Sequence, residues 1–167
     1  MIPFSLDTFS GDAYATYAWG VNAVEVEVDT LTGLTSVLGA WGDFDVGTPI
    51  DEYIVAGQME GGFVQGIGYG GMEKMTTDAK GRVMQTTMAD YTIPTAMDVP
   101  NMKVMLHVQE FPDGPYGAKG AGELPLAGPA PAYTNALEQA LGIHINKIPF
   151  TPEDIIKSLT RQKEAEL

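Results

Sequence analysis

The chain contains no cysteine. That excludes a disulfide, a thiolate metal site and a cysteine-held iron–sulfur cluster within these residues. It has only two histidines, His107 and His144, set far apart, which argues against a zinc site. Positive charge is scarce as well. Nine Lys and Arg stand against 22 Asp and Glu, a formal net charge of −13. Phosphate backbones are gripped by Lys and Arg, so nucleic acid is not an expected partner. The acidic balance speaks for solubility and self-repulsion. No apolar run is long enough to span a bilayer, and the N-terminus, "MIPFSLDTFSGDAY", lacks the basic-then-apolar pattern of a signal peptide. The expectation is a cytoplasmic protein with no membrane partner.

What is present suits a folded domain. The 167 residues are 44% hydrophobic, enough to bury a core. Val24, Val26 and Val28 alternate with Glu25, Glu27 and Asp29, the pattern of a strand with one wet face. "DTLTG" reads as a turn and "LTSVLGAWGDFDV" as the returning strand of a hairpin. Thr48 is then the expected N-cap of a helix over 50–74, with Pro49 at its first position.

That helix carries glycines at 57, 61, 62, 66, 68, 70 and 71. Each costs about 1 kcal/mol against alanine in a helix interior. Gly57 and Gly61 are four apart, as are Gly62, Gly66 and Gly70. Such rows strip side chains from a helix surface, so that another backbone or a flat ligand can come close. Tight packing and a cofactor seat both account for them. Gln58 and Gln65, seven apart, share one face beside the rows.

Further on, "RVMQTTMADYTI" reads as partly strand. "NMKVMLHVQEF" alternates Met102, Val104, Leu106 and Val108 against Lys103, Met105, His107 and Gln109, again a strand. A helix is expected from about 128 to 141, with Gly142 as its C-terminal cap. "IHINKIPF" reads as a short strand. Thr151 caps a last helix with Pro152 at its first position. The fold class is α+β, ordered β-β-α-β-β-α-β-α, with an antiparallel-rich sheet, the glycine-rich helix and two C-terminal helices. Residues 1–160 form one domain and 161–167 a solvated tail.

Between the last long strand and the helix at 128 lies "GPYGAKGAGELPLAGPAPAY". It holds one carboxylate, Glu123, among Gly120, Ala121 and Gly122, with Lys119 the only other charge. Three readings of Glu123 stand side by side. It caps or steadies the next helix, it is an ordinary exposed acid, or it is a base in a glycine-lined apolar pocket, where desolvation would raise its pKa. Nothing in the loop supplies a second carboxylate or a Ser–His–Asp order. A base here would need a partner from a cofactor or from outside the chain.

"GQMEGGFVQGIGYGGMEK", "YTIPTAMDVP" and "GPYGAKGAGELPLAGPAPAYTNAL", in this order, resemble the C-terminal part of the molybdenum-binding subunit of the xanthine dehydrogenase and aldehyde oxidase family. "DFDVGTPID" and "INKIPFTPEDIIKSL" extend the likeness over nearly the whole chain. The resemblance implies part of a larger molybdopterin-binding domain. It puts Glu123 on the glutamate of a G-x-G-E motif, the family's general base. It puts Gln58 on the glutamine of a G-Q-x-E-G motif that contacts the pterin, and Gly120, Ala121 and Gly122 on the loop facing the cofactor. The activity implied is hydroxylation, with water, of an electron-poor carbon of a purine or other N-heterocycle, or of an aldehyde, with hydride passing to a Mo=S group. The cofactor implied is molybdopterin with Mo, in the cytosine dinucleotide form. Iron–sulfur clusters and flavin would sit on other domains or subunits. Leu124 replaces the proline of the "GEPP" found in many animal members, which points to a bacterial enzyme. The family's subunit is several times longer. The chain alone is therefore expected to be inactive, to self-associate, and to need the rest of the molybdenum subunit with its iron–sulfur and flavin partners. A non-catalytic assembly module and an aromatic-thioester reductase of the same family are the alternatives.

Overall fold

A computed structural model describes residues 4–165. The hairpin forms as its alternation demands. Strand β1 (Trp19–Val28) pairs antiparallel with β2 (Thr35–Asp45), with a register shift between Glu25 and Val26. The side chains of Val24, Val26 and Val28 turn inward and the glutamates outward. Asp29 closes the turn. Its carboxylate accepts from the Leu31 N–H at 2.8 Å, and its carbonyl from the Gly33 N–H at 2.7 Å.

Helix α1 (Glu52–Gly71) follows. Its cap is Asp51, whose carboxylate accepts from the Ile54 N–H at 3.0 Å, rather than Thr48. Thr48 is committed elsewhere: its N–H donates to the Gly117 carbonyl at 2.9 Å. The expected strand at 101–109 forms as β3 (Asn101–His107), but it pairs with β2 in parallel. Parallel partners need a long crossover, and α1 with the segment after it supplies one. The three-stranded sheet has the order β1-β2-β3 and is mixed, not antiparallel-rich.

Two expected strands are absent. Residues 82–93 make one isolated bridge, Thr77 to Val83, and otherwise turn and bend. There the Thr76 N–H goes to the Gln85 side chain at 2.7 Å, and Tyr91 donates its hydroxyl to Glu73 at 2.7 Å. Residues 143–150 join no strand ladder and bend at 147–149. Their donors find helices: the Ile145 N–H meets the Glu138 carboxylate at 2.5 Å, and the Phe150 N–H the Gly70 carbonyl at 3.0 Å. Side chains of this stretch still reach the core, which explains an apolar pattern without a strand.

The C-terminal part is helical. A four-residue helix α2 (Leu124–Ala127), not foreseen, leads through Gly128 into α3 (Pro129–Leu141), which ends at Gly142 in the left-handed region. Helix α4 (Pro152–Ala165) starts at Thr151, and Asp154 reaches back to the Thr151 N–H at 3.2 Å and its hydroxyl at 3.0 Å. Thr151 stands at the head of the helix as expected, but the capping bonds run from its N–H and hydroxyl to Asp154, while the Asp154 N–H goes to the Thr151 backbone carbonyl. The expected tail from 161 is helical through Ala165, and exposed.

Helices α1 and α3 cover one face of the sheet. Phe44, Val46, Met59, Phe63, Leu137 and Ile155 form the centre of the core between them.

Candidate functional site

The site begins with how α1 meets α2 and α3. A Cβ at Gly62 would overlap the ring of Pro125. One at Gly66 would stand 2.9 Å from both the Leu126 carbonyl oxygen and Pro129, and one at Gly70 3.2 Å from the Tyr133 ring. The contact therefore advances in step along both segments, from 62 against 125 to 70 against 130 and 133. Gln58 lies one turn before Gly62 on α1 and is exposed. The packing account of the glycines holds for this row.

The other row is different. At Gly57 and Gly61 nothing lies within 4 Å of where a Cβ would be. The same is true of Gly120 and Gly122. Bare backbone is thus presented on α1 and on the loop alike, with Gln58 exposed on the helix and Glu123 exposed at the loop's end. A groove of about 360 Å³ runs past Gly57, Glu60, Gly61 and Val64 to Val99 and Met102. Tyr53, 92% exposed, and Ile54 stand at the start of α1 with no core to enter.

Glu123 occupies the N-cap position of α2, yet its carboxylate makes no capping hydrogen bond. Its backbone carbonyl takes the Leu126 N–H at 3.2 Å. The capping bond is therefore absent, although the Glu123 charge does stand at the N-terminus of the helix as that reading requires. On this chain it is an exposed acid whose side chain is free to meet something else. Ala121 points the other way and packs against the core.

The loop's first half is firmly held. Gly47 and Ala118 form an antiparallel bridge, and the Lys119 N–H donates to the Val46 carbonyl at 2.9 Å. Gly47 and Gly117 both have positive φ, 68° and 77°. A side chain at either would be strained by its own backbone, and the two segments could not approach. The Lys119 ammonium is paired with the Asp45 carboxylate, and both side chains are buried. Burial pushes the Asp45 carboxyl up, but the Lys119 hydrogen bond and charge, the Gly47 N–H and nearby His107 outweigh it. The carboxyl is held below its ordinary range. Sequence reasoning saw Lys119 only as a lone charge. Its partner lies 74 residues away, and no local pattern announces it.

His107 and Asp45 line a shallow cleft with Trp19 and Asp43 on the far side of the sheet. Among the described residues no three His, Cys, Asp or Glu side chains converge on a point that could hold a metal ion. None of their helices is long and apolar enough to cross a membrane.

Bare backbone is open on α1 and, separately, on a loop pinned at its start, each next in sequence to an exposed amide or carboxylate, and such surfaces admit the close approach of a large flat group. Residues 3–100 match the family model of the molybdopterin cofactor-binding domain. The chain belongs to that family. Gln58 and both glycine rows of α1 lie within the match, and the Glu123 loop lies beyond it. Longer relatives extend the likeness. The aldehyde oxidoreductase of Megalodesulfovibrio gigas is 34% identical over 89% of this chain, which spans 16% of that protein. The xanthine dehydrogenase molybdenum-binding subunit of Escherichia coli O157:H7 is 33% identical over 81% of the chain and 18% of its own length. Among solved structures, quinoline 2-oxidoreductase of Pseudomonas putida 86 superposes with a TM-score of 0.75 at 36% identity, over 81% of this chain and 18% of that one. The chain is thus a member of the xanthine dehydrogenase and aldehyde oxidoreductase group of molybdenum enzymes, and spans less than a fifth of each of these relatives.

Proposed function

We propose that this chain is one wall of the molybdopterin site of a molybdenum hydroxylase, with Glu123 as the general base. The observation that carries the reading is the open backbone at Gly57, Gly61, Gly120 and Gly122, with Gln58 and Glu123 exposed next to them in sequence, in a domain of the molybdopterin-binding family. The residues fit the group: a pterin needs flat access, amide donors and acceptors, and no competing side chains. The Gln58 amide can both donate and accept to a pterin edge. The N–H groups of Gly120, Ala121 and Gly122 would face it. When bound, the cofactor supplies a molybdenum centre that accepts the two electrons of the hydroxylation.

Glu123 has one task, to take a proton at its carboxylate from the group that becomes the new oxygen substituent. Its exposure in this chain is what an unfinished pocket looks like. Once the remainder of the molybdenum subunit closes over the loop, water is displaced and a carboxylate there becomes more basic. The substrate class that fits is an N-heterocycle such as a purine, with aldehydes second. The cytosine dinucleotide form of the cofactor, with electrons leaving through iron–sulfur and flavin partners, belongs to the same reading. Alone, the chain is inactive, and its exposed apolar residues at Tyr53 and Ile54 favour self-association.

The test is Glu123→Gln in the assembled, molybdenum-loaded enzyme. Turnover should fall by about 10²–10⁴-fold while molybdopterin content stays unchanged. Near-normal turnover would overturn the assignment.

A further inference from the structure

The Gly120–Glu123 loop is held at both ends, and between them only Ala121 touches the core. At its far end Pro125 fills the notch at Gly62. At its near end stands the pair formed by Lys119 and Asp45, whose side chains are 8% and 7% exposed. The Asp45 carboxylate also takes the Gly47 N–H at 3.0 Å. Two charges withdrawn this far from water lose their hydration. Such a pair seldom stabilises more than apolar side chains of the same volume would. What it can do is select a single arrangement. Here the arrangement selected is that of residues 117–119 against 46–48, immediately before four residues with almost no side chains of their own to hold them.

The geometry points to Asp45 and Lys119 as a positioning pair that sets where the Gly120–Glu123 loop begins and so where the Glu123 carboxylate stands. Neither residue touches cofactor or substrate. The inference rests on the proposed role of Glu123. It adds that this role depends on a carboxylate at the end of β2, across the sheet's edge from the loop.

Single substitutions leave one buried polar group unmatched, so the informative variant is the double one, Asp45→Asn with Lys119→Met, which removes both charges at nearly constant volume. Hydrogen exchange, read by mass spectrometry on the 167-residue chain, should rise at least about tenfold at residues 117–119, whose N–H groups are bonded, and stay unchanged across α3. In the molybdenum-loaded enzyme the same double variant should lose about 100-fold in kcat with little change in KM and unchanged cofactor content, the effect of a misplaced catalytic group. Wild-type exchange in the loop overturns the inference. So does faster exchange with an unchanged kcat, and so does a loss of protection that spreads through α3, which would make the pair a general support of the fold. Glu123→Gln is measured alongside. Full turnover there overturns the catalytic reading itself, and the exchange data then judge the anchor on their own.

Discussion

One helix carries two glycine rows with opposite surroundings. Gly62, Gly66 and Gly70 are filled from outside by Pro125, Pro129 and Tyr133, while Gly57 and Gly61 face open space. The residue type and the spacing are the same. In the first row the helix gives up intrinsic stability, about 1 kcal/mol per glycine, and regains it as close contact with α2 and α3. In the second row the same sacrifice has no return inside this chain. A protein that leaves such a stretch unimproved is keeping it clear for something else, which is why the open row and not the filled one marks the site.

Substitutions can break this contrast. The largest effect should come from the filled row. Gly66→Leu would drive a side chain into the Leu126 carbonyl and Pro129. Overpacking outweighs the better helix propensity, for a net loss of about 2 kcal/mol, seen as a Tm drop of about 4–8 °C. An unchanged Tm would mean that the two segments part easily. Next comes the anchor beside the open surface. Asp45 has a carboxyl held below its ordinary value of 3.8, so the unfolded chain binds the proton first as pH falls. Its contribution is complete above that value and is lost as pH drops through the lower folded one. Acid unfolding below pH 4 should therefore steepen by up to about 1.4 kcal/mol per pH unit from this one group, a slope that Asp45→Asn removes. The smallest effect should have the opposite sign to the first. Gly57→Ala meets no neighbour, so it should stabilise the chain by about 1 kcal/mol in denaturant unfolding. In the loaded enzyme it should also weaken cofactor retention. Destabilisation by Gly57→Ala would show that the open row is occupied by the chain itself.

Much of the fold was legible because its signals are local. The alternation of Val24, Val26 and Val28, the proline after Thr151 and the glycine at 142 each act within a few residues. So β1, β2, β3, α3 and α4 could be read from short windows. The failures share one cause: a partner far along the chain. An apolar run such as 143–150 becomes a strand only if another strand offers its edge. Here the helices take the hydrogen bonds instead, Glu138 at one end and Gly70 at the other. The cap of α1 was misplaced because Thr48 is tied to Gly117. The parallel sense of β3 depends on a crossover that no pattern within β3 records. For the site, the residue types around Glu123 were visible and pointed to close approach by something bulky. That α1 has one filled and one empty row could be learned only from what stands against each glycine. The match of Asp45 with Lys119 was hidden for the same reason.

The latch between Asp45 and Lys119 also bears on the order in which the molecule is assembled. It closes a span of 74 residues. The chain must give up the freedom of that whole span before the pair returns anything, whereas the hairpin and α3 close over short distances. The hairpin and the turns of the single helices can therefore form while the loop is still loose, whereas the packing of α3 on α1 closes a span nearly as long, Gly66 to Pro129. Early in folding a copy therefore has its local elements and no formed site, because the loop is set only with the long-range contacts of the core. In a domain of the molybdopterin-binding family, the loop's position is thus settled together with the core and not ahead of it.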